Sequence, residues 1–478
     1  MNILMSHSYF LPLDPKEAAN HKPYPPLAPL TVAAWIKERL NLEISFYDVM
    51  FDSDEKGLEQ QIARRRPDIF ILYDDDFNFL TKMCLENMRQ AVFRAIKNRP
   101  ASGIFIAHGS DASDQADAYL TAGFDVIIHR NAEAVLLKVL KTLKNNRNLA
   151  DLQNQPSVSL KMAGRHIHNA PARQNLPVEE TPPPRWDIID LAPYRQTWKR
   201  HHGYFSLNMA TAHGCPFGCN WCAKPLYGRT YQAVPAEQAA EQVRYLHRTL
   251  KADHLWMTDD LFALKPGWIS DFADALERMN LRVPYKCLSR ADLISNSFAA
   301  ELSRSGCREL WMGVESGSQK ILDAMDKGLR VEQVLPATQR LKRNGIRVGF
   351  FLQYGYPGEE MYDIGLTLAL IRRCRPDAIG ISVSYPLKGT PFYEKVLRQM
   401  GEQKNWKDSG DLALMYAGKY SPDFYRALHR YTHHYFGLVS AATPRPPVQW
   451  LRRIAAQHRH IPGLIRERLK MRKLIAAN

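Results

Sequence analysis

The sequence predicts an α/β protein with two parallel sheets and a helical C-terminal region. Short apolar runs alternate with helical patterns over residues 1–145. The alternation resumes over residues 204–395, where six strand–helix units follow one another. Such alternation is typical of parallel sheets, because a helix returns the chain between parallel strands. We therefore expect an N-terminal doubly wound sheet, a partial (β/α)6 barrel, and helical or irregular structure over residues 396–478.

The elements of the first domain, residues 1–145, follow in regular order. The strand segments are NILMSHSY, LEISFYDVM, DIFILY, GIFIAHG and FDVIIHR, and the helical segments are LTVAAWIKERL, LEQQIARRR, LENMRQAVFRAIK, ADAYLTAG and AEAVLLKVLKTLK. Ligands of such sheets bind at the carboxyl ends of the strands. We expect a ligand near Ser6–His7, Tyr73–Asp76 and His108–Ser110.

Residues 146–203 carry little periodicity and end in VEETPPPRWDIIDLAPYR. Because proline interrupts helices and sheets, we interpret this range as a proline-rich linker or strap. The strand segments of the second domain, residues 204–395, are FSLNMAT, HLWMTDD, YKCLSR, ELWMGVES, RVGFFLQYG and AIGISVSYP. Functional groups of such a barrel are expected at its carboxyl-terminal rim.

The composition is typical of a globular protein, with 45% hydrophobic and 24% charged residues. The N-terminal segment MNILMSHSYFLPLDP lacks the features of a signal peptide, and no apolar stretch reaches the roughly 20 residues that span a bilayer. The seven cysteines are odd in number and partly clustered, which argues against a disulfide framework. We expect a reducing compartment, most simply the cytoplasm.

The formal net charge of +15 is concentrated in the basic tail, residues 441–478, which has nine Lys or Arg and one Glu and so carries +8. Its segments WLRRIAAQHRH and IPGLIRERLKMRKLI interleave apolar and basic residues at helical spacing. A basic amphipathic helix can lie on an anionic membrane surface, here the inner face. The alternative is a partly packed terminal helix with a solvated basic face.

The segment HGCPFGCNWC places Cys215, Cys219 and Cys222 in a C-x3-C-x2-C pattern after the first barrel strand. Thiolates are soft ligands that suit iron–sulfur clusters or zinc. A structural zinc site has four protein ligands, and His213 lies too near Cys215 in sequence for easy chelation. Three cysteines on a cubane leave one iron open, so an open iron–sulfur site is favoured over zinc or buried structural thiols. Outside the pattern, we expect buried, non-ligating side chains at Cys84, Cys287, Cys307 and Cys374.

The cysteine pattern, with Trp221 before its last cysteine, resembles the signature of radical S-adenosylmethionine (SAM) enzymes. Further segments resemble that superfamily in the same order: MTDDLFALKPGWISDFADAL, CLSRADLI, RSGCRELWMGVESGSQKILDAMDKGLRVEQV, FFLQYGYPGE and SYPLKGTPFYEKV. The resemblance implies a [4Fe–4S] cluster on the three cysteines, with SAM bound to the open iron. Reductive cleavage of SAM would then give methionine and a 5'-deoxyadenosyl radical that abstracts an unactivated hydrogen.

The resemblance also implies roles for residues at the strand ends. Asp259 and Asp260 end the second strand, where the methionine ammonium is expected. Arg290 is expected to pair with the methionine carboxylate, and Glu315 to accept hydrogen bonds from the ribose. The turn expected against the adenine contains Gly355, Pro357 and Gly358. The alternative for each residue is structural, because acidic residues often cap helices and glycines often only turn the chain.

The whole arrangement resembles the cobalamin-binding branch of the superfamily, which includes methyltransferases and the anaerobic magnesium-protoporphyrin cyclase. The matching segments are PYPPLAPLTVAAWIKERL, RRRPDIFIL, DAYLTAGFDVIIHRNAEAVLLKVLKTL and PPPRWDIIDLAPY. Three features depart from that branch. A D-x-H-x-x-G motif is missing, HRNAE replaces a glycine-and-glutamate turn, and YDDDF places three aspartates where small residues are usual. The resemblance implies bound cobalamin, and a sheet that serves only as scaffold is the alternative.

We therefore expect a cobalamin-dependent radical SAM enzyme that methylates an unactivated centre in a small molecule or a lipid. A one-electron donor such as flavodoxin or ferredoxin is implied, and no nucleic acid partner is expected. The alternatives are a radical rearrangement or oxidative cyclisation, a methylthiotransferase acting on RNA or protein, and a non-enzymatic iron–sulfur or zinc protein. A methylthiotransferase of the kind resembled would carry three more cysteines in the first domain, where only Cys84 stands.

Overall fold

The computed structural model describes residues 1–75, 82–129, 132–171, 176–223, 229–441 and 447–476, with side chains described outside 441–459. The strands are β1 Ile3–Ser6, β2 Ile44–Phe46, β3 Ile69–Tyr73, β4 Ile104–His108, β5 Val126–Ile128, β6 Val158–Met162, β7 Arg165–His168, β8 Ser206–Met209, β9 Ala212–His213, β10 Gln232–Ala233, β11 His254–Met257, β12 Tyr285–Ser289, β13 Cys307–Glu315, β14 Arg347–Tyr354 and β15 Ala378–Val383.

The described α-helices are α1 Pro15–Asn20, α2 Leu27–Leu40, α3 Lys56–Arg65, α4 Glu86–Ala95, α5 Ser110–Asp114, α6 Ala116–Ala122, α7 Ala132–Asn146, α8 Ala192–His202, α9 Ala236–Arg248, α10 Trp268–Arg278, α11 Asn296–Arg304, α12 Gln319–Ala324, α13 Val334–Arg343, α14 Met361–Cys374, α15 Pro391–Val396, α16 Pro422–Ala441 and α17 Pro447–Ala476. Within the described ranges, no helix is both long and apolar enough to cross a bilayer.

The first sheet has the strand order β2-β1-β3-β4-β5-β6-β7. Strands β1 to β5 are parallel, as the alternation of strands and helices predicts. Every residue of β1, β3 and β5 is buried. Continuous burial is expected where helices cover both faces of a parallel sheet. Helices α2 and α7 pack together on one of these faces.

The range 146–203, predicted as a linker or strap, also contributes two strands to this sheet. Strand β6 pairs antiparallel with β5, and β7 pairs antiparallel with β6. The linker prediction missed this hairpin because β7, with the sequence RHIH, is only half-buried or exposed. An edge strand forms its ladder through backbone groups and needs no apolar run.

The second sheet has the order β15-β14-β13-β12-β11-β8, and all of its neighbouring pairs are parallel. It is the half-barrel that the six strand–helix units predict. Side chains alternate along β13, so that Leu310, Met312 and Val314 are buried whereas Glu309 and Trp311 are only half-buried. The carboxyl ends of these strands carry the residues described below.

The C-terminal region is helical, as predicted, and part of it packs on the first domain. The backbone N–H of Glu86 donates to the carbonyl of Trp406 at 2.8 Å. The Ser409 hydroxyl donates to Asp14 Oδ1 at 2.7 Å. Segment 406–409 therefore links the C-terminal region to the first domain.

Candidate functional site

The three predicted cluster ligands lie on one loop, residues 214–223, which we call the cysteine loop. The loop follows β9, and β9 pairs antiparallel with β10. Gly214 has a φ of +84°, and a Cβ there would lie 2.3 Å from the carbonyl oxygen of Thr230, so the turn requires glycine. Cys219 is buried, Cys215 and Cys222 are half-buried, and none of the three is in a disulfide. Cys84, Cys287, Cys307 and Cys374 are buried, as predicted.

Asn220 fixes the cysteine loop to the rest of the barrel, a role that the sequence analysis missed. Its side-chain amide donates to the Ala324 carbonyl at 2.9 Å and to Asp326 Oδ2 at 2.8 Å. Its Oδ1 accepts a hydrogen bond of 2.9 Å from the Tyr356 hydroxyl. Its backbone N–H donates to Met325, and its carbonyl accepts from Phe392. The only signal in the sequence is its place between the second and third cysteines of the pattern.

Arg290, at the end of β12, faces the cysteine loop. Its Nη1 lies 4.0 Å from Cys219 Sγ, and its guanidinium carbon lies 3.9 Å from the ring centroid of Phe217. The other guanidinium nitrogens donate to Asp292 at 3.0 Å and to the Lys327 carbonyl at 2.8 Å. The guanidinium is therefore held in a buried position where its charge acts on Cys219. Pairing of Arg290 with a methionine carboxylate remains a prediction.

Glu315 and Lys327 form a buried ion pair next to the same loop. Lys327 Nζ lies 3.0 Å from Glu315 Oε1 and 5.9 Å from the ring centroid of Trp221. Burial opposes the ammonium charge, but Glu315 and Cys219 outweigh it and raise the pKa of Lys327. Glu315 has a φ of +62°, which is unusual for a residue with a Cβ and marks a strained position. The sequence pattern singled out Glu315 but not Lys327.

Asp259 and Asp260 differ in their surroundings. Asp259 is fully buried and accepts hydrogen bonds from the backbone N–H groups of Thr211 and Ala212, at 2.6 and 2.8 Å, and from the Thr211 hydroxyl. Burial raises the pKa of Asp259 to about 7 despite these donors. Its contacts fix the start of the cysteine loop. Asp260 is half-buried. Contact of either carboxyl with a methionine ammonium remains a prediction.

The predicted adenine turn follows β14. Gly355 and Gly358 have φ values of +82° and +88°, and Pro357 lies between them. The Gly355 N–H donates to Glu359 Oε2 at 2.6 Å, and its carbonyl accepts from the Tyr416 hydroxyl. Glu359 is buried, its Oε1 has no partner among the described residues, and burial raises its pKa to about 8. The turn is therefore held by the hydrogen bond between the Gly355 N–H and the carboxyl of Glu359, a residue not predicted from the sequence.

The donor types of the cysteine loop suit a [4Fe–4S] cluster, but among the described residues no three His, Cys, Asp or Glu side chains are gathered closely enough to hold a metal ion. Three thiols suit iron, and the buried cations Arg290 and Lys327 oppose the negative charge that thiolates and cluster bring. The indole N–H of Trp221 is buried and has no acceptor among the described residues. A buried donor of this kind normally has a partner, and a cluster or its ligand would supply an acceptor.

At the carboxyl edge of the first sheet, Asp74 and Asp75 of the YDDDF segment accept hydrogen bonds from backbone N–H groups. The Ser8 N–H donates to Asp74 Oδ1 at 2.9 Å. The first two N–H groups of α2, at Leu27 and Ala28, donate to the Asp75 carboxylate at 3.1 and 3.2 Å. Asp76 lies outside the described residues. The carboxylates of Asp74 and Asp75 are therefore engaged by backbone groups of the first domain.

His7, also at this edge, has both ring nitrogens engaged by the protein. Its Nε2 lies 2.8 Å from Asp48 Oδ1, and its Nδ1 accepts from the Tyr9 N–H at 3.3 Å. Asp48 Oδ2 in turn accepts a hydrogen bond of 2.7 Å from the Tyr194 hydroxyl. Both ring nitrogens of His7 are therefore engaged within the protein.

The barrel residues match a known family model. Residues 209–371 match the model of the radical SAM superfamily, a range that includes the cysteine loop and the turn at Gly355. An uncharacterized methyltransferase of Pyrococcus horikoshii is 24% identical over 287 residues, which are 59% of this chain and 60% of that protein. The chain spans between 41% and 60% of the length of the first curated relatives it matches.

Two solved structures share the fold over most of this chain. The methyltransferase TsrM from Kitasatospora setae, with cobalamin and a [4Fe–4S] cluster bound, has a TM-score of 0.65 at 16% identity and covers 83% of this chain and 75% of its own. OxsB, a cobalamin-dependent SAM radical enzyme with aqua-cobalamin bound, has a TM-score of 0.71 at 16% identity and covers 97% of this chain and 72% of its own. These matches confirm the predicted fold class.

Proposed function

We propose that the protein is an enzyme that cleaves SAM reductively at a [4Fe–4S] cluster held by Cys215, Cys219 and Cys222, because residues 209–371 match the model of the radical SAM superfamily. The observation that carries the proposal is the cysteine loop itself, with three cysteines that form no disulfide on a loop anchored by Asn220. When bound, the cluster supplies the electron that breaks the sulfonium bond.

In this proposal, the chain's own residues bind and orient the cluster and SAM. Arg290 and Lys327 keep two positive charges beside the thiolates, and Asp259 holds the backbone at the start of the loop. Asp260 is proposed to meet the methionine ammonium, Glu315 the ribose, and the turn Gly355–Gly358 the adenine. At Gly358 a Cβ would meet no described atom within 4 Å, so the backbone there is open to a planar base, whereas the space beside Gly355 is bordered by Leu414 and Tyr425.

We further propose that the first sheet binds cobalamin and that the reaction is methylation of an unactivated centre. When bound, cobalamin supplies a methyl group that a carboxylate or amine of the protein could not provide. Support comes from Asp74 and Asp75, whose carboxylates accept backbone hydrogen bonds from Ser8, Leu27 and Ala28 instead of remaining unpaired at this edge. The methyltransferase activity of TsrM, with the same fold, is a further argument.

The inner wall of the half-barrel offers a surface for the substrate. Trp311 stacks on Phe351 with ring centroids 4.8 Å apart, and Phe351 is exposed. Gly349 and Gly380 make room for this stack, because a Cβ would lie 2.3 Å from Trp311 at the first position and 3.2 Å from Phe351 at the second. A small molecule with an apolar, flat portion would fit against such a wall.

The alternatives differ in what they require. A rearrangement or cyclisation would use the same barrel and requires no methyl donor. A methylthiotransferase with a second cluster is disfavoured, because Cys84 is the single cysteine before residue 215 and it is buried. A purely structural zinc site would lack a fourth ligand. Cysteines that form no disulfide suit a reducing compartment such as the cytoplasm, where a flavodoxin or ferredoxin would supply the electron.

The test is the iron and cobalt content of protein made anaerobically in cells supplied with cobalamin, together with formation of 5'-deoxyadenosine from SAM and a reductant. We expect about four irons and one cobalt per chain. The triple variant Cys215→Ala, Cys219→Ala, Cys222→Ala should lose iron and SAM cleavage, whereas Cys374→Ala, a buried cysteine on α14, should keep both.

Iron without cobalt would leave radical cleavage standing and remove the methylation proposal. Zinc in place of iron, or SAM cleavage by the triple variant at the parent rate, would overturn the assignment of the cysteine loop.

A further inference from the structure

The outer face of α17 carries an exposed apolar stripe, which we define as Ile461, Ile465 and Leu469. These side chains are 44%, 56% and 52% exposed. Their spacing of four residues places them on one side of the helix, since an α-helix has about 3.6 residues per turn. Large apolar side chains that line up in this way are unusual on a protein surface and mark an interaction site.

The opposite face of α17 packs against α16, so the orientation of the helix is fixed. Glu467 is buried and accepts a hydrogen bond of 2.9 Å from Arg430 of α16. Gly463 lies against the ring of His434, where a Cβ would come within 2.4 Å of Nε2. Met471 is also buried. Because these contacts hold the inner face, the apolar stripe points away from the protein.

Basic residues flank the apolar stripe on both sides. At about 100° per residue, Arg468 falls on one side of it and Arg466 and Lys470 on the other, and Arg472 and Lys473 border its C-terminal end. All five are exposed. Over Pro447–Ala476 the sequence has eight Lys or Arg and one Glu, a net charge of +7. Since Glu467 is buried, the exposed face from Ile461 to Ala476 carries no carboxylate side chain.

We propose that α17 docks the protein on the surface of an anionic bilayer, with the apolar stripe among the lipid chains and the flanking cations at the headgroups. An apolar stripe bordered by cations is the arrangement that an interfacial helix needs. A second copy of the chain is disfavoured as the occupant, because two helices of charge +7 would face each other and repel. This inference does not rest on the proposed reaction.

The test is sedimentation of the full chain with vesicles of phosphatidylcholine alone and with an equal mixture of phosphatidylcholine and phosphatidylglycerol. The stripe variant is Ile465→Ser, Leu469→Ser, and the charge variant is Lys470→Gln, Arg472→Gln, Lys473→Gln. The matched control is Tyr362→Ser on α14, since Tyr362 is a 75% exposed large side chain elsewhere on the surface. Each variant changes only exposed positions, so folding is expected to be preserved.

We expect the parent and the control to bind the mixed vesicles and to be released by salt. The stripe variant should bind at least about ten-fold more weakly. The charge variant should bind roughly a hundred-fold more weakly, because each cation near the surface contributes about five-fold. No binding of the parent to the mixed vesicles would overturn the proposal. So would a stripe variant that binds like the parent, or a parent that dimerises without vesicles while the stripe variant stays monomeric.

Discussion

Lys327 Nζ and Glu315 Oε1 lie 3.0 Å apart in the interior of the barrel, and both side chains are almost completely buried. Gly313 makes this pair possible, because a Cβ there would come within 2.7 Å of Glu315 Oε1 and 2.9 Å of Lys327 Nζ. The Lys327 carbonyl also accepts from Arg290, whose Nη1 faces Cys219. The ion pair therefore connects the strand end at Glu315 to the cysteine loop.

Removal of Lys327 should destabilise the protein strongly. Lys327→Met would leave the Glu315 carboxylate buried without its cation, at a cost of about 3–5 kcal/mol in the free energy of unfolding. Urea unfolding of the metal-free protein measures this cost. Lys320→Met is the control, because Lys320 pairs with Asp363 at 2.9 Å but is 57% exposed. We expect a loss below about 1 kcal/mol there. Equal losses in both variants would contradict a special role for the buried pair.

Gly349 should tolerate no side chain. In Gly349→Ala the new Cβ would lie 2.3 Å from Trp311 Cδ2, and the ring is already confined by its stack on Phe351. We expect a loss of about 1–3 kcal/mol from overpacking, measured by urea unfolding.

Gly365 provides the matched control for this substitution. It lies within α14, and a Cβ there would meet nothing within 4 Å. Gly365→Ala should therefore leave stability unchanged or raise it by up to about 1 kcal/mol, through helix propensity. A neutral Gly349→Ala would mean that the Trp311 ring can move, and the proposed substrate wall would lose its support.

Glu359 should make the protein less stable as the pH rises. Burial raises its folded-state pKa to about 8 from the ordinary 4.5, so between these values the folded state binds more protons than the unfolded state. The stabilising contribution is complete below about pH 4.5 and is lost as the pH rises through about 8. Glu359→Gln mimics the neutral carboxyl and should flatten this part of the pH profile of unfolding. If parent and variant show the same slope, the pH dependence of unfolding comes from other groups, and Asp259 is the next candidate.

The strand–helix order was predictable because each buried strand is an apolar run, as in the five residues of β3. The β6–β7 hairpin was not, because its edge strand is polar and pairs through the backbone. Contacts between residues distant in sequence were also not predictable from the sequence. Asp75 caps a helix that begins 48 residues earlier, and nothing in YDDDF indicates this partner. Likewise, the sequence places Lys327 in MDKG without relating it to Glu315 or Cys219.

Asn220 provides the sharpest test of how the cysteine loop is held. Its side chain makes three hydrogen bonds, to the Ala324 carbonyl, Asp326 and the Tyr356 hydroxyl. Asn220→Ala removes all three and leaves the thiols in place. We expect it to lose more than half of the bound iron, since a loose loop no longer holds three thiolates at the separation that a cluster needs.

Tyr356→Phe grades this effect, because it removes the hydroxyl contacts to Asn220 and to the Ala324 carbonyl and leaves the two bonds that the Asn220 amide donates. Iron per chain and the visible absorption of anaerobically prepared protein measure both variants, with the parent's far-ultraviolet dichroism as the check on folding. We expect the iron content to fall in the order parent, Tyr356→Phe, Asn220→Ala. If Asn220→Ala keeps the parent's iron content, the loop is held by its backbone alone, through the turn at Gly214 and the contacts of Asp259 with Thr211 and Ala212.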